Sequence, residues 1–233
     1  TKTNLLRAVR EDGVIVKPDA PIVPLDRCYV ADAQRRDAPL ISSTYTEHDG
    51  LRTAYVFAYV RPKSPPGEVR FTPAELGFNG SVYVHDHYRN TARRLDADQV
   101  FTAPLAQATT AFYAISPVGK SGIAFLGDQD KFVSTGKQRI ATAQDENGKL
   151  TATVVFAGRE KAVTLHGYAA TAPRVSAENG TVGPVAYDST RQHFAVEVRV
   201  DPNSPTDPSS GDPVRQMTVE FSTQTKLTAE NKR

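Results

Sequence analysis

The residues best suited to chemistry in this sequence are aspartates at the ends of expected strands and turns. They are Asp19, Asp26, Asp128 and Asp130. Two carboxyl groups held at a fixed separation carry out glycoside hydrolysis. The sequence offers no geometry that pairs any two of the four, and an aspartate in such a place is typical of a turn or a backbone cap. We therefore assign no catalytic residue within this chain.

Three other short patterns offer weaker signals. His85-Asp86-His87 puts two imidazoles on one face of a strand, but a metal site needs a third ligand from elsewhere. Gly119-Lys120-Ser121 resembles the end of a phosphate-binding loop, yet Ala114 stands where that loop requires a glycine. Cys28, the single cysteine, is typical of inert packing. The sequence therefore predicts no metal site and no cofactor.

Aromatic side chains could instead bind a sugar by stacking. Tyr55, Phe57 and Tyr59 alternate along one expected strand and share a face, and Tyr83 follows on a later strand. Such a face either fills a sandwich core or presents rings to a sugar, and the lack of tryptophan favours the core. Tyr55, Tyr59 and Tyr83 are the stacking residues of the alternative hypothesis, an independent carbohydrate-binding or adhesion module.

Composition limits the classes of function. The 233 residues hold 28 Lys and Arg against 26 Asp and Glu, so no basic field favours nucleic acid or a membrane surface as a partner. The apolar runs are far shorter than the roughly 20 residues that span a bilayer. One cysteine cannot form a disulfide within the chain, and the first residues do not resemble a signal peptide. We expect a soluble protein of unknown compartment.

The first 37 residues predict elements unlike the rest. Thr3 or Asn4 can cap a helix that Gly13 would end. Val14–Val16, three β-branched residues without alternation, predict a strand buried on both faces, as in a parallel sheet. Prolines at 18, 21, 24 and 39 predict an irregular strap over the following residues. One helix and one strand cannot complete a parallel sheet, so we expect this chain to be part of a larger protein.

From residue 38 to residue 225 the hydrophobic pattern has a period of two. Short strand candidates such as Ala162–Ala169, Val182–Tyr187 and His193–Val200 are separated by turn dipeptides such as Asp49-Gly50 and Asn147-Gly148. This pattern predicts an antiparallel β-sandwich. We expect residues 201–213, with four prolines, to be an exposed loop outside any sheet, and residues 226–233 to be a disordered tail.

Several segments between residues 5 and 200 follow one another in a recognisable order. They are Leu5-Leu6, Asp12–Ile15, Pro24–Tyr29 with Asp32, Pro39–Ile41, Phe112–Val118, Gly122–Gly127, Lys131–Gly136 and His166–Pro173. In this order they resemble the C-terminal part of the raffinose synthase and alkaline α-galactosidase branch of glycoside hydrolase family 36. The residues after Val200 have no counterpart in that resemblance.

The resemblance implies that residues 1–37 are the tail of a (β/α)8 barrel and its strap, with a C-terminal β domain over residues 38–225. The catalytic aspartates would lie on earlier barrel strands. The chain would then be a non-catalytic domain that stabilises the barrel of an α-galactoside hydrolase, with the barrel and carbohydrate as partners. Lys17 and Asp19, directly after the expected last barrel strand, would donate to and accept from sugar hydroxyls.

Overall fold

The computed structural model of this chain describes residues 2–26, 28, 39–204, 206–207 and 214–223. Strands make up 53% and helix 5% of it, against the roughly one-third helix of an average soluble protein. The fold class predicted from the sequence, a mainly antiparallel β-sandwich, is confirmed. Most of the expected strap, at 27 and 29–37, and the expected tail at 226–233 lie outside the described residues.

The strands alternate inward and outward residues and are joined by tight turns. Asp49 and Gly50 have φ of 44° and 80°, and Asn147 and Gly148 have φ of 53° and 74°, the left-handed conformations that a two-residue hairpin turn requires. In chain order the strands are β1 (Val23–Pro24), β2 (Leu40–His48), β3 (Leu51–Tyr59), β4 (Gly67–Phe71), β5 (Val82–Asp86), β6 (Thr91–Leu95), β7 (Phe101–Leu105), β8 (Thr110–Pro117), β9 (Ile123–Asp128), β10 (Ile140–Glu146), β11 (Lys149–Phe156), β12 (Ala162–Ala169), β13 (Arg174–Glu178), β14 (Gly180–Val182), β15 (Ala186–Asp188), β16 (His193–Val200), β17 (Thr206–Asp207) and β18 (Val214–Ser222).

The first sheet has the strand order β1-β2-β3-β8-β5-β6, with every pair antiparallel. A separate two-stranded sheet of β4 and β7, here called the small sheet, and a short 3-10 turn at Ala74–Leu76 accompany it. Val56 and Ile115 of the first sheet belong to one apolar core with Phe71 and Phe101 of the small sheet. The small sheet therefore covers one face of the first sheet.

The C-terminal half contains the second and third sheets. The second sheet has the order β14-β16-β12-β9, with β15 also on β16, and the third has the order β10-β11-β18-β13, with β17 also on β18. Their facing side chains, among them Phe156, Phe194 and Phe221, form a second apolar core in which these three rings are 0% exposed. These two sheets form a sandwich within the range 38–225, over which the sequence predicted a single sandwich domain.

Residue alternation shows how the two halves meet. On β3 and β5, Val56 and Val84 face the first core, whereas the neighbouring residues Tyr55 and Tyr83 belong to a different buried cluster. That cluster also contains Tyr168 of β12 and side chains of β9. The first sheet therefore packs its second face on the outer face of the second sheet. The layers follow one another as small sheet, first sheet, second sheet and third sheet.

The N-terminal prediction is wrong in two respects. Helix α1 covers only Lys2–Leu6, and Val14–Val16 is not a strand: Val9 and Ile15 form a single antiparallel bridge. The reason is local, since Arg10 and Asp12 pair at 2.5 Å with both side chains buried and hold the chain in a tight turn at Gly13, where φ is 83°. No barrel strand lies at 14–16, and only Val16 of the three is buried.

Two predictions in the last third of the sandwich also need correction. Thr206–Asp207, within the expected proline-rich loop, pairs with Val214 and Arg215 as β17, because the residues between prolines keep their backbone donors. The candidate strand Val182–Tyr187 is divided into β14 and β15, which both pair with β16. The remaining residues of 201–213 include positions outside the described residues.

Candidate functional site

The buried layer between the first and second sheets, here called the seam, holds polar aromatic side chains. The rings of Tyr83 and Tyr168 stack with centroids 4.6 Å apart. The Tyr168 hydroxyl shares a hydrogen bond of 2.9 Å with His85 Nδ1, and the Tyr83 hydroxyl donates to Gln192 Oε1 at 2.6 Å. Since these groups come from β5, β12 and the turn before β16, the seam couples strands more than 80 residues apart in sequence.

Histidines extend the seam. His166 Nδ1 lies 3.3 Å from His193 Nε2, and the two rings stack across β12 and β16. Burial lowers the pKa of His85 to about 3, with further lowering from the nearby His193, His87 and His166. Burial also lowers the pKa of His166 to about 4 and lowers that of His193. These imidazoles are therefore neutral at pH 7.

The sugar-stacking residues of the alternative hypothesis do not form an open platform. Tyr55 is 1% exposed, accepts the Thr135 N–H at 3.0 Å and thereby holds the segment 131–136 against the first sheet. Tyr83 is 7% exposed and stacked in the seam. Tyr59 is half-buried at the end of β3, where it pairs with Leu40. Tyr55 and Tyr83 are core residues here, because their ring faces are covered by protein.

Of the carboxylates that the sequence singled out, Asp128 is buried in a cluster of ion pairs. Arg139, 0% exposed, pairs through Nε with Asp128 Oδ2 at 2.9 Å and through Nη1 and Nη2 with Glu160 at 2.6 and 2.7 Å. Burial raises the pKa of Asp128 to about 6, although the Arg139 charge opposes this. Asp26 lies exposed in the N-terminal segment, and the Asp130 N–H donates to Asp128 Oδ1 at 3.1 Å. Arg139, Asp128 and Glu160 form a buried ion-pair network that connects β9 to the turns before β10 and β12.

Lys17 and Asp19 lie beside the first sheet. Asp19 Oδ2 accepts from the Glu47 N–H at 3.0 Å and from Lys137 Nζ at 2.7 Å. Burial acts to raise the pKa of Asp19, but these hydrogen bonds outweigh it and the pKa is lowered, so the carboxylate is charged at pH 7. The Lys17 N–H donates to Gln138 Oε1 at 3.0 Å and its side chain is exposed. The Asp19 carboxylate thus anchors the N-terminal segment, and the Lys17 side chain is accessible.

The remaining short patterns have local structural roles. Gly119-Lys120-Ser121 forms the turn between β8 and β9, where the Gly122 N–H donates to the Gly119 carbonyl at 3.0 Å. Cys28 packs beside the first core. Within the described ranges, no three His, Cys, Asp or Glu side chains are grouped as a metal site would need. No helix in those ranges has the length and apolar character to cross a membrane.

The N-terminal segment carries an unusual apolar surface. Among the described residues, most exposed large hydrophobic side chains lie between positions 5 and 23, and only Tyr88 and Val100 lie elsewhere. They are Leu5 (65% exposed), Leu6 (57%), Val14 (39%), Ile15 (63%), Ile22 (53%) and Val23 (56%). Scattered exposed hydrophobics are ordinary, but a concentration on one segment is typical of a contact surface. We call it the apolar segment.

Comparisons with known proteins add little to these observations. No family model matches the sequence, and no curated protein matches it. A Bacillus halodurans structure described as an alpha-N-acetylgalactosaminidase superposes with a TM-score of 0.31 at 15% identity, covering 36% of this chain and 19% of its own. The isomalto-dextranase of Arthrobacter globiformis T6, complexed with panose, gives 0.27 at 11% identity over 78% of this chain and 36% of its own.

Both structural neighbours are glycoside hydrolase-like, but neither superposition is close enough to support a functional argument. This chain spans well under half of either neighbour. The resemblance to family 36 seen in the sequence has no matching family model behind it. A function for this chain must therefore be inferred from its own geometry and from that resemblance.

The seam contains residues that the sequence did not indicate as members of one site. His166 and His193 lie in the expected strands Ala162–Ala169 and His193–Val200, and Gln192 directly precedes the second, yet all three line the seam or its rim. A signal was present in β12, where His166 and Tyr168 alternate with Val163 and Leu165 and so mark a second buried face that is polar. That signal could not show that β5, in another sheet, packs on this face.

Proposed function

We propose that this chain is a non-catalytic β domain that packs on the catalytic domain of a glycoside hydrolase in the same polypeptide and stabilises it. The observation that carries the proposal is the apolar segment. The ordered resemblance to family 36 supports the choice of partner, a (β/α)8 barrel that acts on α-galactosides. In this proposal the substrate binds in the barrel, and the main contribution of this domain is to pack against the barrel and stabilise it.

The apolar segment has the character of an interface because its side chains are large and aliphatic. Leu5, Leu6 and Ile15 are each more than half exposed. Burying such a side chain completely is worth about 1.5–3 kcal/mol. A stable interface buries about 1,000 Å² or more in total. The segment therefore supplies a hydrophobic centre for an interface that the neighbouring polar surface would complete.

Hydrogen bonds to the β domain hold the apolar segment in place. Lys131 Nζ donates to the Leu6 carbonyl at 3.1 Å, and Arg10 Nη1 donates to the Gln138 carbonyl at 2.7 Å. The Lys137–Asp19 ion pair lies further along the segment. A surface fixed in this way loses less conformational entropy on binding than a free segment, which supports docking of a folded domain on it.

The coding sequence upstream gives the first test of the proposal. We expect it to encode a barrel of about 250 residues in the same reading frame. A stop codon or an unrelated domain directly upstream would contradict the proposed arrangement.

The second test measures the interface in the polypeptide that contains both domains. We expect Leu6→Ser with Ile15→Ser to lower its stability by about 2 kcal/mol or more, because both side chains would lose their buried contacts. Thermal unfolding and retention of hydrolase activity on heating are the measurements. The matched control is Val100→Ser, an exposed aliphatic residue outside the segment. Equal effects of the test and control variants, or an equal loss in this chain alone, would contradict docking through the apolar segment.

We further propose that Lys17 and Asp19, which follow an isolated bridge and not a barrel strand, lie close to the docked barrel and contact sugar hydroxyls at its mouth. Asp19→Ala is then expected to lower kcat/KM about tenfold, equivalent to about 1.4 kcal/mol. Lys137→Ala is the matched control, since it removes the same ion pair but leaves the carboxylate. Equal losses in both variants would show that Asp19 acts only by anchoring the segment.

A further inference from the structure

A groove in the C-terminal half lies between the turn that joins β11 to β12 and the ends of three other strands. Its volume is about 840 Å³, and its lining includes Gly158, Arg159 and Lys161 of the turn. Arg199 near the end of β16 and Arg215 on β18 complete the cationic part of the lining. The groove is thus built from both sheets of the sandwich and lies apart from the apolar segment in sequence.

The charge of this groove is positive. Among the described residues, four cationic side chains line it, against two acidic ones, Glu160 and Asp201. Both carboxylate oxygens of Glu160 accept from Arg139, so this carboxylate is turned to the buried arginine. Asp201 Oδ1 accepts the Asn203 N–H at 2.8 Å, and the exposed Glu197 beside the groove pairs with Arg199 at 2.6 Å. Exposed pairs of that kind contribute little energy and exchange readily with other anions.

The guanidinium of Arg215, on β18, has donors that the described residues satisfy poorly. Its Nη1 donates to the Gly158 carbonyl at a long 3.3 Å, and its Nε is buried and has no hydrogen-bond partner among the residues that the structure describes. A buried donor without an acceptor typically costs about 1–3 kcal/mol. A guanidinium binds planar or tetrahedral oxyanions through paired donors, and an anion in the groove would relieve this deficit after a small rotation of the side chain.

The turn that carries Arg159 and Lys161 is held rigidly. Between them, Glu160 is fixed by two hydrogen bonds from Arg139 and by the Ala157 N–H at 3.0 Å. The exposed residues on either side are therefore presented at fixed positions without forming the core themselves. Preorganised cations bind an anion with a smaller entropy loss than cations on a flexible loop.

We propose that this groove binds a small ligand bearing a carboxylate, sulfate or phosphate group, with Arg159, Lys161, Arg199 and Arg215 as its cationic contacts. The anion enters between the turn and the end of β16 and displaces the weak Glu197 pairing of Arg199. Its oxygens accept from the guanidinium groups, and Lys161 adds a point charge. This site is independent of the proposed docking on a catalytic domain.

The test is titration of this chain at low ionic strength with four probes: inorganic sulfate, inorganic phosphate, galacturonate and uncharged galactose. Backbone amide shifts by NMR locate the site, and calorimetry gives the affinity. We expect the charged probes to shift residues 158–161, 180–181 and 199–202 with a Kd of about 1 mM, and galactose to shift none of them. Stronger binding of galacturonate than of the inorganic ions identifies a carboxylated sugar as the ligand class, whereas the reverse identifies a free oxyanion.

Variants distinguish the groove from general surface charge. Arg159→Gln with Arg199→Gln changes only exposed side chains and is expected to weaken binding about tenfold, since two of the charge-assisted contacts are lost. Arg215→Lys keeps the charge but loses the paired donors and is expected to weaken it as well. The matched control is Arg191→Gln, which like Arg199 is an exposed arginine paired with one carboxylate. No shift with any charged probe, or equal weakening by the control, would overturn the proposal.

Discussion

The two faces of the second sheet are both buried, yet they are buried by different chemistry. Toward the third sheet, Leu165 and Phe194 pack in an apolar core. Toward the first sheet, Tyr168 and His166 lie in the seam with stacked rings and hydrogen bonds. An apolar face is stabilised by area without directional demands, whereas a polar face must satisfy each buried donor and acceptor. The second sheet therefore has one face whose contribution to stability does not change with pH and one face whose contribution does.

The largest expected effect comes from removing a buried ring from the apolar face of the second sheet. Phe194 is 0% exposed, and Phe194→Ala should lower the free energy of unfolding by about 3–5 kcal/mol, because it removes a buried ring and leaves a cavity. Urea unfolding at pH 7 is the measurement, with Val100→Ala as an exposed control. We expect this loss to be the same at pH 5 as at pH 7. A loss below about 1 kcal/mol would show that the face repacks or is not a core.

The next effect concerns acid and the seam. The pKa of His85 is lowered in the folded state, so the unfolded chain takes up its proton first, and stability falls as the pH drops below about 6.5 toward about 3. Between pH 7 and pH 5 this should cost about 2 kcal/mol. Asp128 acts in the opposite direction, since its pKa is raised and the folded state gains a proton below about 6. The change in stability with pH must therefore be compared between the original chain and a variant without His85, which keeps Asp128.

His85→Asn retains a hydrogen-bonding group near the Tyr168 hydroxyl but cannot titrate. We expect its stability to fall about 2 kcal/mol less than that of the original chain between pH 7 and pH 5. Urea unfolding at several pH values measures the difference. Parallel pH profiles for the two proteins would contradict a role of His85 in the acid sensitivity of the seam.

The smallest expected effect concerns a single hydrogen bond of the seam, between Tyr168 and His85. Tyr168→Phe keeps the ring stacked on Tyr83 but removes the hydroxyl that contacts His85 Nδ1. We expect a loss of about 1–2 kcal/mol, the cost of leaving one buried polar atom unpaired. Tyr88→Phe, on a ring that is 50% exposed, is the control and should be near neutral. An unchanged stability in Tyr168→Phe would indicate that water replaces the hydroxyl.

The sequence was most informative where periodicity and turn chemistry act locally. The expected strands Ala162–Ala169 and His193–Val200 coincide with β12 and β16, because alternating apolar residues leave one register available. The turns at Asp49-Gly50 and Asn147-Gly148 were equally clear, since few other residues tolerate their φ values.

Other features were set by contacts that the sequence does not display. Val14–Val16 has the composition of a buried strand, but the Arg10–Asp12 pair folds the chain back before a strand can form. Tyr55, Phe57 and Tyr59 alternate as a sugar platform would. Only the packing of the first sheet on the second shows that the rings of Tyr55 and Tyr83 are covered. The groove that carries Arg159 and Arg215 joins positions more than 50 residues apart, beyond any local pattern.

The position of β18 determines when this chain can finish folding during synthesis. β18 lies inside the third sheet, between β11 and β13, with registers that run from Lys149↔Ser222 to Glu178↔Thr218. The first sheet, by contrast, has all its strands once Pro117 has left the ribosome. Domain halves of this kind fold in the order of translation. The N-terminal layers therefore have all their strands on the nascent chain while β13, and the edge of β11 that faces away from β10, still lack the strand that lies between them.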